Sequence, residues 1–142
     1  MGKNGTNLPE KGTLIISSGS WERFDYALSI AITSLASGME FHALFTHGAL
    51  KRLVKGQTDV IRDETTTEIK DGIQKGLAKG TVEPLSSILK EAKSFGLKIY
   101  ACPAAMANLN IARNELIEEV DSVKGLASFL QIAREATLNY YI

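Results

Sequence analysis

Residues 13–46 read TLIISSGSWERFDYALSIAITSLASGMEFHALFT, and this stretch sets the fold class. It begins at 13–18 with a short apolar run rich in β-branched residues, which is typical of a strand buried on both faces. Apolar residues at helical spacing follow from Phe24 onward, and Gly38 stands where a glycine ends a helix. A second apolar run at 40–46 completes a strand, a helix and a strand. The short turn between helix and strand predicts parallel strands joined by a right-handed crossover.

The rest of the chain continues this alternation. The patterns predict helices near 49–54, 69–77, 85–95, 104–109, 115–119 and 126–133, and strands at 97–102, 121–124 and 138–142. Pro84 and Pro103 suit the first positions of helices, and Gly96 suits a helix end. Strands that alternate with helices indicate an α/β domain with a mainly parallel sheet and helices on both faces.

Length and composition indicate one globular domain. The 142 residues fit a single domain, and 44% hydrophobic with 23% charged residues is ordinary for a folded chain. We expect a flexible arm at 1–12 and a single domain at 13–142, with a polar, partly helical insertion at about 55–80. This insertion is a lid, an oligomer contact or a solvated connection between elements.

Several classes of function are disfavoured. Lys and Arg together number 16, as do Asp and Glu, so the net charge lacks the basic excess typical of nucleic-acid binders. No apolar run approaches the ~20 residues that cross a bilayer, and the first residues do not read as a signal peptide. We therefore expect a cytoplasmic protein with no nucleic-acid or membrane partner.

Metal and cofactor sites are not expected either. One cysteine, with only His42 and His47 as histidines, excludes a disulfide within the chain and the common zinc sites. The first loop lacks the G-x-G-x-x-G pattern of dinucleotide-binding folds, and the chain has no P-loop. A lone thiol stays reduced in the cytoplasm, where it is available for chemistry.

Ligands of parallel α/β sheets collect at the carboxyl ends of the strands, and three segments reach that edge. They are Ser17-Ser18-Gly19-Ser20, Thr46-His47-Gly48 and Cys102-Pro103-Ala104-Ala105. The only cysteine and one of the two histidines therefore emerge at the same edge. A thiol at a helix N-terminus meets partial positive charge, which favours the nucleophilic thiolate of disulfide, persulfide and thioester chemistry.

Each candidate also has a structural interpretation. Cys102 is equally well a small buried hydrophobe, and Met106 beside it is more expected in the core. His47 is favoured as a turn residue over a proton donor or anion ligand, and the serines either bind a ligand or cap the following helix. The predicted site comprises Cys102 as the catalytic residue and substrate contacts from Ser18, Gly19, Ser20, His47, Pro103, Ala104, Ala105 and Met106.

Four segments resemble the DsrE/DsrF-like family. They are SGSWERFDYA at 18–27, LASGME at 35–40 running into LFT at 44–46, YACPAAM at 100–106, and VKGLASFL at 123–130. The third is similar to the family's C-x-x-S-M-like segment, and the fourth is similar to its G-hydrophobic-A-x-F-L helix. The resemblance implies a three-layer α/β/α domain with a five-stranded, mainly parallel sheet of flavodoxin- or Rossmann-like topology. It also implies assembly as a trimer or hexamer.

The resemblance further implies intracellular sulfur trafficking, in which a cysteine carries sulfane sulfur as a persulfide or thiosulfonate. The family's sulfur-accepting position maps onto Cys102, and a small sulfur-carrier protein is the implied partner. Two departures matter: the chain has no second cysteine, and Ala105 stands where the family has a serine before methionine. Relatives are also labelled peroxiredoxin-like, but the peroxidatic T-x-x-C pattern is absent before Cys102.

Two functions from different classes follow. The first is a sulfur carrier or sulfurtransferase subunit with Cys102 as the acceptor. The alternative is a non-catalytic module whose strand-end pocket binds a small anion, nucleotide or metabolite, with Cys102 incidental. In that case the Ser18-Gly19-Ser20 loop and the free N–H groups at helix starts hold the anion. A purely structural subunit of a larger complex is a third, weaker option.

Overall fold

The predicted alternation of strands and helices is confirmed. A computed structural model describes residues 8–142, and residues 1–7, with most of the predicted arm, lie outside that range. The elements are β1 (Lys11–Ile16), α1 (Trp21–Ala36), β2 (Glu40–Phe45), α2 (His47–Lys51), α3 (Thr67–Lys79), α4 (Leu85–Ser94), β3 (Lys98–Ala101), α5 (Pro103–Leu109), β4 (Ser122–Val123), α6 (Leu126–Arg134) and β5 (Leu138–Tyr141). Because β1 begins at Lys11, the last two residues of the predicted arm belong to the sheet.

The five strands form one sheet in the order β4-β3-β2-β1-β5, and every neighbouring pair is parallel. Phe45 of β2 meets Phe24 of α1 with ring centroids 5.6 Å apart. Tyr100 of β3 meets Phe129 of α6 at 6.1 Å. Tyr100 pairs with Leu44, so the two side chains lie on the same face of the sheet. The side chain of Phe45 lies on the other face, because successive side chains of a strand point to opposite sides. Helices α1 and α6 therefore cover opposite faces, which confirms the three-layer architecture.

The core lies mainly between the sheet and the pair of helices α1 and α4, which pack against each other. In β1 and β2 the residues facing α1 are fully buried, among them Leu14, Ile16, Phe41 and Phe45. Each such side chain contributes about 1.5–3 kcal/mol of burial free energy. In the part of the chain from residue 8 onward, every helix is too short or too polar to cross a membrane.

The insertion contains the expected helix, α3, with Ile73 buried on its apolar side. Its Gly76 is required by packing, because a Cβ at this position would overlap the side chain of Val82. The cost of a glycine within a helix is therefore offset by the close approach of the chain that follows α3.

The helix predicted near 115–119 is wrong. The chain forms a single 3-10 turn at Arg113–Glu115, then an isolated bridge between Leu116 and Val54, and then a second turn at 117–120. The N–H of Ile117 donates to the Leu53 carbonyl at 2.8 Å, and the N–H of Lys55 donates to the Glu115 carbonyl at 2.9 Å. Hydrogen bonds to a distant segment thus replace the helical ones, which local periodicity does not reveal.

Arg52, which directly follows α2, fixes the first part of the insertion from inside the protein. The side chain is fully buried. Its Nε donates to the Gly19 carbonyl at 2.7 Å, and one Nη donates to the carbonyls of Thr58 and Val60 at 2.8 and 2.7 Å. The guanidinium also lies 5.7 Å from the ring centroid of Trp21. One side chain therefore joins the end of β1 to the loop at 58–60.

We expect Arg52→Met to lower the free energy of unfolding by about 3 kcal/mol or more, because three buried carbonyls lose a charged donor. Arg23→Met is the matched control, since Arg23 is exposed on α1, and it should change stability by no more than about 0.5 kcal/mol. Urea unfolding of the three proteins measures both effects. Equal stability of the two variants would contradict the role given to Arg52.

Candidate functional site

Cys102 directly follows β3 and is the N-cap residue of α5. Its N–H donates to the Phe45 carbonyl, and its own carbonyl accepts from the N–H of Met106, both at 3.0 Å. The residue is 9% exposed, whereas Pro103 and Ala104 beside it are exposed. The cysteine is thus at the strand end and helix start that the sequence predicts, at the edge of the core.

The chain leaves β3 and β4 in different directions, and Cys102 lies where the two paths separate. After β3, α5 packs beside α2, whose C-terminal Arg52 lies against α1. After β4, the chain turns to α6 on the opposite face, and the N–H of Lys124 donates to the Ala101 carbonyl at 3.0 Å. Such diverging connections open a crevice at the carboxyl edge of a parallel sheet, where ligands of α/β proteins bind.

Positive charge lies at this part of the sheet edge, from one lysine and one helix N-terminus. Val123 pairs with Ala101, so Lys124 is next to Cys102 in the register. The Lys124 ammonium lies 4.9 Å from the ring centroid of Tyr100. Gly125 is the N-cap of α6 and has no side chain to satisfy the first N–H groups of that helix. A cation and a helix N-terminus both favour negative charge, such as that of a thiolate or a sulfur oxyanion.

Sequence reasoning missed Lys124 and Gly125. Both lie in a segment that resembles the family, but they were assigned only to a short strand and to the start of a helix. Their nearness to Cys102 depends on the pairing of β3 with β4, which joins residues 22 positions apart in the sequence. The pattern that identifies them is a lysine and a glycine at the carboxyl end of a predicted strand.

A buried polar chain runs beneath α6. The Nε2 of His42 lies 2.5 Å from the Glu40 carboxylate, and its Nδ1 lies 2.8 Å from the Tyr100 hydroxyl. Both ring nitrogens of His42 therefore have hydrogen-bond partners inside the protein. Burial raises the pKa of the Tyr100 phenol above its ordinary value of 10.0, and the charges of Asp121 and Glu40 act in the same direction. Tyr100 is therefore a neutral hydroxyl two residues before Cys102.

The raised pKa of Tyr100 predicts that the protein loses stability at alkaline pH. The folded protein keeps the phenolic proton to a higher pH than the unfolded chain does. The contribution of Tyr100 to stability is therefore complete below the pKa of the unfolded chain, and it is lost as the pH rises through 10.0 and beyond. In an alkaline pH titration followed by tyrosinate absorbance, the wild type should show an ionisation step at a pH above that of the exposed tyrosines. Tyr100→Phe should lack this step, and the exposed-site control Tyr26→Phe should retain it. A wild type that lacks this step would contradict the assignment.

The Ser18-Gly19-Ser20 loop lies at the end of β1, and the insertion covers it. Ser20 is the N-cap residue of α1, but its side chain does not cap the helix. The N–H of Trp21 instead donates to Thr65 Oγ1 at 2.8 Å, and the N–H of Ser20 donates to Ser18 Oγ at 3.2 Å. Gly19 and Ser20 are buried. The loop therefore faces the insertion rather than open solvent.

The remaining predicted site residues divide into exposed and buried groups. His47 is exposed at the start of α2, with a left-handed φ of 48°. Ala105 and Met106 are buried, in agreement with the expectation that Met106 belongs to the core. His47 thus shares the carboxyl edge with Cys102, one strand away.

A cavity of about 610 Å³ lies elsewhere, between the loop at 55–60, the start of α4 and residues 117–119. None of the predicted site residues lines it.

Over the described range 8–142, no group of three or more His, Cys, Asp or Glu side chains is arranged to hold a metal ion.

The fold and the strand-end cysteine define a small three-layer α/β/α protein with its candidate site at the carboxyl edge of the sheet. The sequence model of the DsrE/DsrF/DrsH-like family matches residues 68–141. The chain belongs to this family, and the matched region includes Cys102 and Lys124. The family resemblance seen in the sequence is confirmed.

Two solved structures share the fold. The YchN protein from E. coli superposes with a TM-score of 0.67 at 14% identity, over 93% of this chain and 99% of that one. MTH1491, a protein of unknown function from Methanobacterium thermoautotrophicum, gives 0.65 at 12% identity, over 92% and 98%. At these identities the likeness concerns the fold alone. No curated protein matches this chain.

Proposed function

We propose that this protein is a cytoplasmic sulfur carrier or sulfurtransferase subunit that holds sulfane sulfur on Cys102 and passes it to a small protein partner. The observation that carries the proposal is the position of Cys102 at the end of β3 and the start of α5, where the connections after β3 and β4 separate. Membership in the DsrE/DsrF/DrsH-like family supports a sulfur-relay class of function.

The proposed loading step is a nucleophilic displacement. With thiosulfate as donor, the Cys102 thiolate attacks the outer sulfur, a new S–S bond forms, and sulfite leaves with the electron pair of the broken S–S bond. The products are a Cys102 persulfide and sulfite, so charge and atoms balance without an external oxidant. A persulfide or polysulfide donor reacts in the same way, with a thiolate as the leaving group.

The surroundings of Cys102 suit this step. The attacking thiolate, the thiosulfate donor and the product persulfide are all anions, and Lys124 with the N-terminus of α6 supplies positive charge beside them. Burial of Cys102 to 9% exposure limits the access of water to the thiolate during loading. The site therefore favours small anionic donors over bulky ones.

Unloading requires another molecule, because the chain has one cysteine. A thiolate of the partner attacks the outer sulfur of the persulfide, which regenerates the Cys102 thiolate and leaves the persulfide on the partner.

We also propose a trimer or hexamer as the working unit. Exposed apolar side chains on α6 and β5 support association, with Leu126 at 51% and Tyr141 at 72% exposure.

The direct test is intact-protein mass spectrometry after incubation with thiosulfate, tetrathionate or a polysulfide. We expect the wild type to gain adducts that a thiol reductant removes, including the mass of one sulfur atom, and Cys102→Ser to gain none. Circular dichroism of Cys102→Ser confirms that the variant is folded.

Lys124→Met should load at least several-fold more slowly than the wild type. The matched control is the exposed-site variant Lys98→Met, because Lys98 lies at the other end of β3.

Two results would refute the proposal. The first is a folded wild type that forms no adduct with any donor. The second is an adduct of equal yield on Cys102→Ser, which would place the sulfur elsewhere. In the first case Cys102 is a packing residue, and the binding-module function takes precedence.

A further inference from the structure

Tyr100 connects the buried polar chain beneath α6 to Lys124. Its hydroxyl lies 2.8 Å from His42 Nδ1, and the ring of Phe129 packs edge-on against its own ring, with 6.1 Å between the centroids. The Lys124 ammonium lies 4.9 Å from the centroid of the same ring. Because Tyr100 is buried and contacted from several sides, its ring is a rigid support for a flexible lysine side chain.

The charge of Lys124 is not neutralised by a carboxylate of the described structure. None of the ion pairs in the part of the chain from residue 8 onward includes this lysine. The carboxylate of Asp121, three positions earlier, pairs with Lys93. The carboxylate of Glu40 pairs with the ring of His42. The ammonium is therefore held by an aromatic ring, and its charge stays available to an external anion.

The strand geometry places the Lys124 ammonium and the Cys102 side chain on the same face of the sheet. The N–H of Cys102 donates to the Phe45 carbonyl, so the pairing of β3 extends through residue 102. Side chains two positions apart in a strand point to the same side, so Cys102 follows Tyr100 on the face covered by α6. Lys124 is one position beyond the last paired residue of β4 and is level with Cys102.

We propose that Tyr100 is a positioning residue that holds Lys124 for the anionic group of a molecule reacting with Cys102, and thereby selects anionic over neutral electrophiles. The identity of the natural electrophile as a sulfur donor rests on the proposed function. With thiosulfate, the ammonium pairs with the sulfonate oxygens while the thiolate attacks the outer sulfur. A carboxylate in place of the ring would hold the lysine equally well, but it would cancel the charge that attracts the donor.

The experiment compares the alkylation rates of Cys102 in the full chain with iodoacetate, which is anionic, and with iodoacetamide, which is neutral. In both reactions the thiolate forms a C–S bond and iodide leaves, so no sulfur transfer is involved. At constant low ionic strength, we expect Lys124→Met and Tyr100→Leu each to lower the ratio of the iodoacetate rate to the iodoacetamide rate at least about threefold. The exposed-site controls Lys98→Met and Tyr26→Leu should leave the ratio unchanged.

A double variant tests whether Tyr100 acts through Lys124. In the Lys124→Met background, Tyr100→Leu should lower the ratio no further, because the group that it positions is gone. Tyr100→Phe keeps the ring and should keep the wild-type ratio. A purely structural role of Tyr100 would instead change both alkylation rates alike and leave their ratio unchanged.

Three results would overturn the proposal. The first is an unchanged ratio in either folded single variant, and the second is a pair of effects that multiply in the double variant. The third is a folded wild type whose thiol reacts with neither reagent, because no donor could then reach Cys102 beside Lys124. Circular dichroism confirms the fold of each variant.

An NMR measurement decides the case in which Tyr100→Leu does not fold. In the wild type and in Tyr100→Phe, the methylene protons beside the Lys124 ammonium should be shifted upfield by the ring, relative to those of the exposed Lys98. Unshifted protons would show that the lysine is not held there and would overturn the proposal. Failure of sulfur loading together with the expected alkylation ratios would refute the proposed function and leave the positioning role intact.

Discussion

The parallel pairing of β1, β2 and β3 is the constraint on which the candidate site at Cys102 depends. Because the three strands run in the same direction, their carboxyl ends meet at one edge, and each next segment starts there. The hydrogen bond from the Cys102 N–H to the Phe45 carbonyl extends this pairing by one residue. A slip of the register by one residue would turn Tyr100 toward α1 and separate it from His42 and Phe129. The sheet therefore fixes the surroundings of the cysteine more than the loops do.

The two ends of this edge solve the same physical problem differently. Helix N-termini in both places leave N–H groups without helical partners. At α1 the insertion supplies Thr65 and the Glu64 carboxylate, so the site is filled by the chain. At α6 the N-cap is a glycine, and the nearby charge is the cation of Lys124. At the first end the chain supplies its own acceptor for the helix N-terminus, whereas the second is suited to an external anion.

The sequence was sufficient for the strands, the main helices and the position of Cys102, because these follow from local periodicity and from glycine and proline placement. It was insufficient where distant segments bind each other. Residues near 115–119 have helical composition, but hydrogen bonds that join Glu115 and Ile117 to Lys55 and Leu53 replace the helical ones. The expectation that serines cap α1 likewise could not foresee Thr65, which lies 44 positions from Trp21. Lys124 becomes a neighbour of Cys102 only through strand pairing.

The different occupation of the two ends bears on which one can accept an external anion. A group that the chain itself neutralises must be displaced before a substrate binds, and that displacement costs free energy. Cys102 has no such competitor among its described contacts: the hydrogen bonds of residue 102 are backbone ones, and Lys124 rests on the Tyr100 ring. A cation held on an aromatic face keeps its charge while remaining free to turn toward a new anion. The β3–β4 end is therefore open to an external anion, whereas at the β1–β2 end the chain supplies its own acceptor, Thr65.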